Sequence, residues 1–130
     1  MQKHTALIYA TTDGHTHKIS KRLAEVLQDH DQPVELINIE DFDSDLSGYD
    51  RVIIGASIRY GVHDKKIIEL INSRQKELEA KQTAFFSVNL VARKPEKSSP
   101  ETNPYVVKFF KNISWRPDMV ETFAGMLEYP

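Results

Sequence analysis

Residues 5–16 read TALIYATTDGHT, and this stretch decides the fold class of the chain. Its first half is a short apolar run, which is typical of a buried strand, and its second half is a turn rich in hydroxyl groups. Apolar residues then recur at helical spacing, at Ile19, Leu23, Val26 and Leu27. A strand that leads through a turn into an amphipathic helix is typical of a parallel α/β sheet.

The same alternation continues along the chain. Further strands are predicted at residues 34–39, 51–56, 83–88 and 120–126. One helix is predicted to open at His63 and Asp64, and another at Asn103 and Pro104, where an N-cap residue precedes a proline. The acidic stretch 40–50 is predicted to form no more than a turn of helix. Five strands that alternate with helices predict a parallel sheet wound on both faces.

The second and third predicted helices each carry an apolar face. These faces consist of Ile67, Ile68, Ile71 and Leu78 in one helix and of Val106, Phe109, Phe110 and Ile113 in the other. Trp115 follows the third helix and is predicted to be a core residue.

Composition restricts the class of protein. With 130 residues the chain is long enough for one domain with its own core. It has no cysteine, which excludes disulfides, thiolate metal sites and thiol nucleophiles. The five histidines lack the spacing of a metal site, so they are expected to be solvated or capping residues, and no metal is predicted. No apolar run approaches the roughly 20 residues that cross a bilayer, and the N-terminus does not resemble a signal peptide, so we expect a cytoplasmic protein.

Charge is unevenly distributed, although the net charge is only −2. Residues 1–65 carry a net charge of −4, and residues 66–130 carry a net charge of +2. Within residues 90–116, six basic side chains outnumber two acidic ones. This basic excess is either a solvated surface or a site for an anionic ligand.

Sheets of this class bind ligands beyond the carboxyl ends of their strands, where the strand order reverses. The loops after the first, third and fourth strands are therefore the predicted site. Residues 11–16 place hydroxyls, a glycine and backbone N–H groups at a helix N-terminus, which suits a phosphate group, although a simple helix cap is the alternative. The loop has neither the lysine of a P-loop nor the three glycines of a dinucleotide-binding turn, so a mononucleotide phosphate fits best.

Four segments together resemble one known family. TTDGHT at residues 11–16 is similar to the phosphate loop of flavodoxin-like proteins. GASIRYG at 55–61, SVNLVARKPEK at 87–97 and NISWRP at 112–117 resemble the menaquinone-dependent protoporphyrinogen IX dehydrogenase branch of those proteins. The resemblance extends over essentially the whole chain, in matching order and spacing.

The resemblance implies an FMN enzyme that oxidises protoporphyrinogen IX to protoporphyrin IX in haem synthesis and passes the electrons to menaquinone or ubiquinone. It implies a single flavodoxin-like domain over residues 1–130, with a five-stranded sheet of order 2-1-3-4-5. The family's C-terminal insertion and last helix are expected to be missing, so that a homodimer could cover the exposed sheet face. Peripheral contact with the cytoplasmic membrane is also expected. No protein side chain is expected to be catalytic, because the flavin carries the chemistry.

By position, the resemblance assigns the cofactor to three segments. The phosphate would be held by Thr11, Thr12, Asp13, Gly14, His15 and Thr16. The flavin ring would lie between Ser57, Ile58, Arg59, Tyr60 and Gly61 on one side and Phe86, Ser87, Val88, Asn89 and Leu90 on the other. Tyr60 is expected to stack on the ring, and the Asn89 side chain to bond its polar edge. The basic excess further predicts that the substrate's propionate carboxylates are received by Arg59, Arg93, Lys94 and Arg116.

Two other classes share this fold. An electron-carrier flavodoxin is the main alternative, but such proteins typically present an acidic face, whereas residues 90–116 are basic. A receiver domain requires a phosphate-accepting aspartate after the third strand, where this chain has Ala56, Ser57, Ile58 and Arg59. The receiver class is therefore excluded, and no nucleic-acid partner is predicted.

Overall fold

The structure is a computed structural model that describes residues 4–10, 15–29, 33–42, 46–59, 62–89, 96 and 98–123. The strands are β1 (Thr5–Ala10), β2 (Val34–Asn38), β3 (Arg51–Arg59), the two-residue β4 (Val62–His63), β5 (Gln82–Val88) and β6 (Met119–Phe123). The helices are α1 (His15–Asp29), α2 (Lys65–Glu79) and α3 (Pro104–Lys111), and a 3₁₀ turn spans Ile39–Asp41.

The five longer strands are parallel and lie in the order β2-β1-β3-β5-β6. Numbered without the short β4, this order is 2-1-3-4-5, which confirms the predicted fold class. The strand order reverses between β1 and β3, whose carboxyl ends are Ala10 and Arg59. Ligands of such sheets bind in the crevice at that point.

Successive residues of a strand point to opposite faces of the sheet, and this alternation divides the core in two. Ala6 and Ile8 of β1 belong to the core on the side of α2 and α3, whereas Leu7 and Tyr9 belong to the core beneath α1. Trp115 is completely buried in the first of these cores, as predicted.

The apolar faces of the helices are confirmed with one exception. In α2 and α3 the predicted residues are buried or half-buried. In α1, however, Val26, one of the four apolar residues at helical spacing, is 39% exposed and does not lie on the buried face. The buried side of α1 includes the small residues Ser20 and Ala24, which let the helix approach the sheet closely. The buried face of α1 is therefore centred on Ser20 and Ala24, and Val26 lies at the edge of that face.

The largest difference from the predicted boundaries is at the carboxyl end of β3. The strand continues through Ser57, Ile58 and Arg59, which were predicted to be a loop. Antiparallel pairing of Ile58 with His63 and of Arg59 with Val62 keeps this segment extended. His63 is consequently in a strand, and Asp64 alone caps α2, accepting a hydrogen bond from the Lys66 N–H at 2.8 Å.

Residues 124–126 of the predicted last strand lie outside the described part of the chain. Within the part that is described, no helix is both long enough and apolar enough to cross a membrane.

Candidate functional site

The N-terminus of α1 lies at the reversal of strand order and contains an unsatisfied hydroxyl group. The Thr16 side chain is completely buried, and its Oγ1 has no hydrogen-bond partner among the residues that the structure describes. The first turn of α1 contains no acidic side chain to balance the positive end of the helix dipole. Because an unsatisfied buried hydroxyl costs about 1–3 kcal/mol, this position is suited to an anionic acceptor that is not part of the protein.

Only part of the predicted phosphate loop can be located. The backbone of His15 begins α1, and Thr16 lies in its first turn. The His15 side chain, together with Thr11, Thr12, Asp13 and Gly14, lies outside the described structure.

The end of β3 forms the second part of the site. Ser57 is buried and pairs with Val88 of β5. The backbones of Ile58 and Arg59 complete the hairpin with β4. The side chains of these two residues, and the whole of Tyr60 and Gly61, lie outside the description, so the expected stacking of Tyr60 stays a prediction.

The end of β5 forms the third part, and its residues alternate between the faces of the sheet. Phe86 and Val88 belong to the core beneath α1, where Phe86 contacts Phe123 edge to face at 5.8 Å. The Phe86 ring lies so close to Gly55 that a Cβ atom there would overlap it. Ser87 and Asn89 are also buried, and Leu90 lies outside the described residues.

A chain of buried hydrogen bonds joins these strand ends to α3. Ser87 Oγ lies 2.7 Å from His63 Nε2 and 2.9 Å from Asn89 Nδ2. Asn89 Nδ2 also donates to Asn103 Oδ1 at 3.3 Å, and Asn103 Nδ2 donates to Asn89 Oδ1 at 2.8 Å. His63, Ser87, Asn89 and Asn103 are each no more than 5% exposed. We call these four side chains the polar relay.

The cap of α3 determines the direction of the amide hydrogen bonds in the polar relay. Asn103 Oδ1 accepts from the N–H groups of Tyr105 and Val106 at 3.1 and 3.3 Å, so its Nδ2 must be the group that donates to Asn89 Oδ1. Asn89 Nδ2 then donates to Ser87 Oγ. The Ser87 hydroxyl has one hydrogen, and we assign it as the donor to His63 Nε2, 2.7 Å away, because Ser87 Oγ already accepts from Asn89. This assignment places the ring proton of His63 on Nδ1.

Aromatic rings surround His63 and keep it neutral. Its ring makes edge contacts with Phe85 at 5.6 Å and with Phe109 at 4.8 Å. Burial lowers the pKa of His63 from 6.5 to about 4. A neutral imidazole agrees with a ring nitrogen that accepts a hydrogen bond from Ser87.

Comparison with known proteins agrees with this geometry. Residues 6–130 match the family model described as Flavodoxin domain. The chain is 42% identical over 127 residues to the protoporphyrinogen IX dehydrogenase (quinone) of Escherichia coli strain K12, which covers 97% of this chain and 70% of that protein. This chain belongs to the protoporphyrinogen IX dehydrogenase family of flavodoxin domains.

A second relative and one solved structure extend the comparison. The protein of the same name from Leishmania major is 43% identical over 126 residues, which are 95% of this chain and 54% of that protein. A flavodoxin variant from Fusobacterium nucleatum, bound to flavin mononucleotide, has a TM-score of 0.60 at 12% identity, over 92% of this chain and 76% of that chain. The solved structure shows a shared fold.

Arg116 of this family member does not lie near the candidate site. Its guanidinium group donates to the carbonyl oxygens of Phe110, Ile113 and Trp115 at 2.7, 2.9 and 2.9 Å. It follows α3 and precedes β6, beside the amino end of β5, and the seven-residue β5 separates the two sheet edges by about 20 Å. Arg116 therefore satisfies the free carbonyls at the end of a helix, and the structure does not support its predicted contact with the substrate. Arg93 and Lys94 lie outside the described residues.

The structure also corrects the expectation for Asn89 and reveals His63. Both amide hydrogens of Asn89 are used inside the protein, so its side chain has none left to donate to a flavin. His63 was expected to be a solvated or capping residue and is instead buried in the polar relay. The sequence feature that could have predicted a strand at His63 is Gly61, because glycine is typical of a tight hairpin connection. Within the described residues no cluster of metal-ligating side chains is present.

Proposed function

We propose that this protein uses FMN to oxidise protoporphyrinogen IX to protoporphyrin IX and passes the electrons to a respiratory quinone. The family membership supports the activity, because the identity extends over nearly the whole chain. The structural observation that carries the proposal is the buried, unsatisfied Thr16 hydroxyl at the N-terminus of α1. It lies where a mononucleotide phosphate binds in sheets of this topology.

The described residues fit a phosphorylated flavin. The Thr16 hydroxyl and the N–H groups at the start of α1 would bond the phosphate, together with the segment from Thr11 to His15. The ends of β3 and β5 would hold the ring through backbone groups, because the side chains of Ser87 and Asn89 are engaged in the polar relay.

When bound, the flavin supplies the redox chemistry, in which each two-electron step removes two hydrogens from the porphyrinogen and reduces a quinone to a quinol. The protein residues position the reactants and exclude water. The substrate is a dicarboxylate, so cationic side chains at the carboxyl edge would orient it. Arg59, Arg93 and Lys94 are proposed for this role, because Arg59 ends β3 and the other two follow β5 in the sequence.

The proposal further includes a cytoplasmic location with peripheral contact to the membrane, where a lipid-soluble quinone is available. Menaquinone and ubiquinone are both candidate acceptors. A homodimer is also proposed, since Met119 on the edge strand β6 is 61% exposed. Sedimentation at two protein concentrations tests the dimer: the apparent molecular mass should be larger at the higher concentration.

Reconstitution with FMN, followed by a porphyrin fluorescence assay, tests the activity. With protoporphyrinogen IX and menaquinone under anaerobic conditions, the holoprotein should produce porphyrin faster than the apoprotein or free FMN. The E. coli relative serves as the positive control. A holoprotein that binds FMN but forms no porphyrin above the free-FMN control would instead support an electron carrier.

A further inference from the structure

We infer that His63 is a positioning residue for the cofactor site, because its hydrogen bond with Ser87 ties the β3–β4 hairpin to the end of β5. This inference rests on the proposed function, since it concerns the strand ends where the flavin would bind. It assigns to His63 no contact with flavin or substrate. His63 would act through the backbone segments that it holds in place.

The hairpin needs such a link because it extends beyond the paired part of the sheet. The pairing of β3 with β1 ends at Ala56, and its pairing with β5 ends at Ser57. Ile58 and Arg59 come after both limits, and within the described residues their strand partner is β4. The position of these residues relative to β5 therefore depends on how β4 is anchored.

His63 anchors β4 by packing and by a directional bond. Its ring lies against Phe85 of β5 and Phe109 of α3, and its Nε2 is hydrogen-bonded to Ser87 Oγ at 2.7 Å. Packing alone permits several ring orientations, whereas the hydrogen bond selects one of them. Because Ser87 is the second last residue of β5, the bond fixes the hairpin against the strand end that leads into the next loop.

The polar relay extends this anchor to α3. Asn89 and Asn103 hold the residue after β5 against the start of α3, and the α3 cap determines the direction of the amide bonds as far as Ser87. Strand β4, the end of β5 and the N-terminus of α3 are thus joined by one set of buried bonds. A change at either end of the polar relay should disturb the same site.

Substitutions that separate ring shape from hydrogen bonding test the inference. His63→Phe keeps the aromatic packing and removes the acceptor, and Ser87→Ala removes the donor. His63→Gln places an amide oxygen close to the position of Nε2, whereas His63→Asn is too short to reach Ser87. His4→Phe is the matched control, because His4 is exposed and precedes β1 at the opposite edge of the sheet.

The readouts are the FMN dissociation constant, from quenching of flavin fluorescence, and the visible circular dichroism of the bound flavin. We expect His63→Phe, His63→Asn and Ser87→Ala each to raise the FMN dissociation constant about fivefold, because a change of this size corresponds to the loss of one buried hydrogen bond. Each should also change the visible circular dichroism of the bound flavin. His63→Gln should stay within about twofold of the wild type, and His63→Phe combined with Ser87→Ala should be no worse than either alone.

The outcomes separate this inference from the proposed function. If the wild type binds no FMN, the proposed function is overturned. If the wild type binds FMN and the folded His63→Phe and Ser87→Ala variants bind it equally well, only the role of His63 is overturned. Failure of His63→Gln to restore binding would also contradict a role for the hydrogen bond. Nitrogen NMR of the wild type tests the assigned direction of the Ser87–His63 bond: a proton on Nδ1 is expected, and a proton on Nε2 would contradict that assignment.

Discussion

Asn89 and Asn103 form a reciprocal amide pair in which each side chain donates to the carbonyl oxygen of the other, at 3.3 and 2.8 Å. Both residues are buried, and they lie on either side of the basic segment that follows β5. Asn103 also caps α3, so a single side chain joins the end of a strand to the start of a helix.

Replacing Asn103 should therefore remove two separate contributions to stability. Asn103→Ala loses the helix cap and leaves the Asn89 amide without this partner, and we expect the free energy of unfolding to fall by about 2–3 kcal/mol. Asn103→Ser keeps a good cap and should lose about half as much. Urea unfolding measures both, and an Asn103→Ser variant as stable as the wild type would show that the amide pair contributes nothing.

Acid should destabilise the protein through His63. Its pKa is about 4 when folded and 6.5 when unfolded, so between these values the unfolded chain binds more protons. The stability that the neutral, buried form provides is complete above pH 6.5 and is lost as the pH falls to about 4. At about 1.4 kcal/mol per pKa unit, the loss is of order 3 kcal/mol.

The His63→Phe variant isolates this pH dependence. The free energy of unfolding of the variant at neutral pH should be lower, because Ser87 loses a partner. Between pH 7 and pH 4, however, the decrease in the free energy of unfolding that His63 causes in the wild type should be absent. Urea unfolding of both proteins at several pH values measures the difference. Parallel pH profiles for wild type and variant would contradict the assignment.

Gly55 should tolerate no side chain. A methyl group there would overlap the Phe86 ring, and we expect Gly55→Ala to lower the free energy of unfolding by about 1–3 kcal/mol. Gly48→Ala is the matched control, because nothing lies within 4 Å of the added atom, and its stability should change by less than about 0.5 kcal/mol. Combining Gly55→Ala with Phe86→Leu should cost less than the sum of the two single changes; strict additivity would show that the two positions are not in contact.

Thr16→Val should affect stability and cofactor binding in opposite directions. Removing an unsatisfied buried hydroxyl should stabilise the apoprotein by about 1 kcal/mol. Losing a hydrogen bond to a charged phosphate should weaken FMN binding about tenfold. Ser20→Ala is the control one turn further along α1, where the hydroxyl is also buried and unsatisfied, and it should stabilise the apoprotein without changing FMN affinity. Unchanged FMN binding by Thr16→Val would contradict the phosphate assignment.

Reversing the charges of Arg93 and Lys94 to Glu should raise the KM for protoporphyrinogen IX about tenfold, because two attractions to carboxylates become repulsions. FMN affinity should stay unchanged. The control is the same double reversal at Lys108 and Lys111, which lie exposed in the last turn of α3 and give the same change in net charge. An equal rise in KM for both double variants would indicate a general effect of net charge.

Several features of this protein follow from short-range pattern in the sequence. The strand at residues 5–10, the cap at Asn103 with Pro104 behind it, and the apolar faces of α2 and α3 were all predictable. Each depends on residues within a few positions of one another, so the local conformation is readable from spacing and residue type. Alternation of strands and helices then restricts the chain to a parallel sheet.

The partners of individual side chains could be known only from the tertiary structure. His63 and Ser87 are 24 positions apart, and they meet because the antiparallel pairing of β4 with β3 brings His63 beside the end of β5. Asn89 uses its amide hydrogens inside the protein because Asn103 arrives beside it at the start of α3. Arg116 shares the basic region with Arg93 in the sequence but lies at the amino edge of the sheet, since α3 carries the chain back along β5. Local pattern thus determines which elements form, whereas strand register and chain reversal determine which side chains face each other.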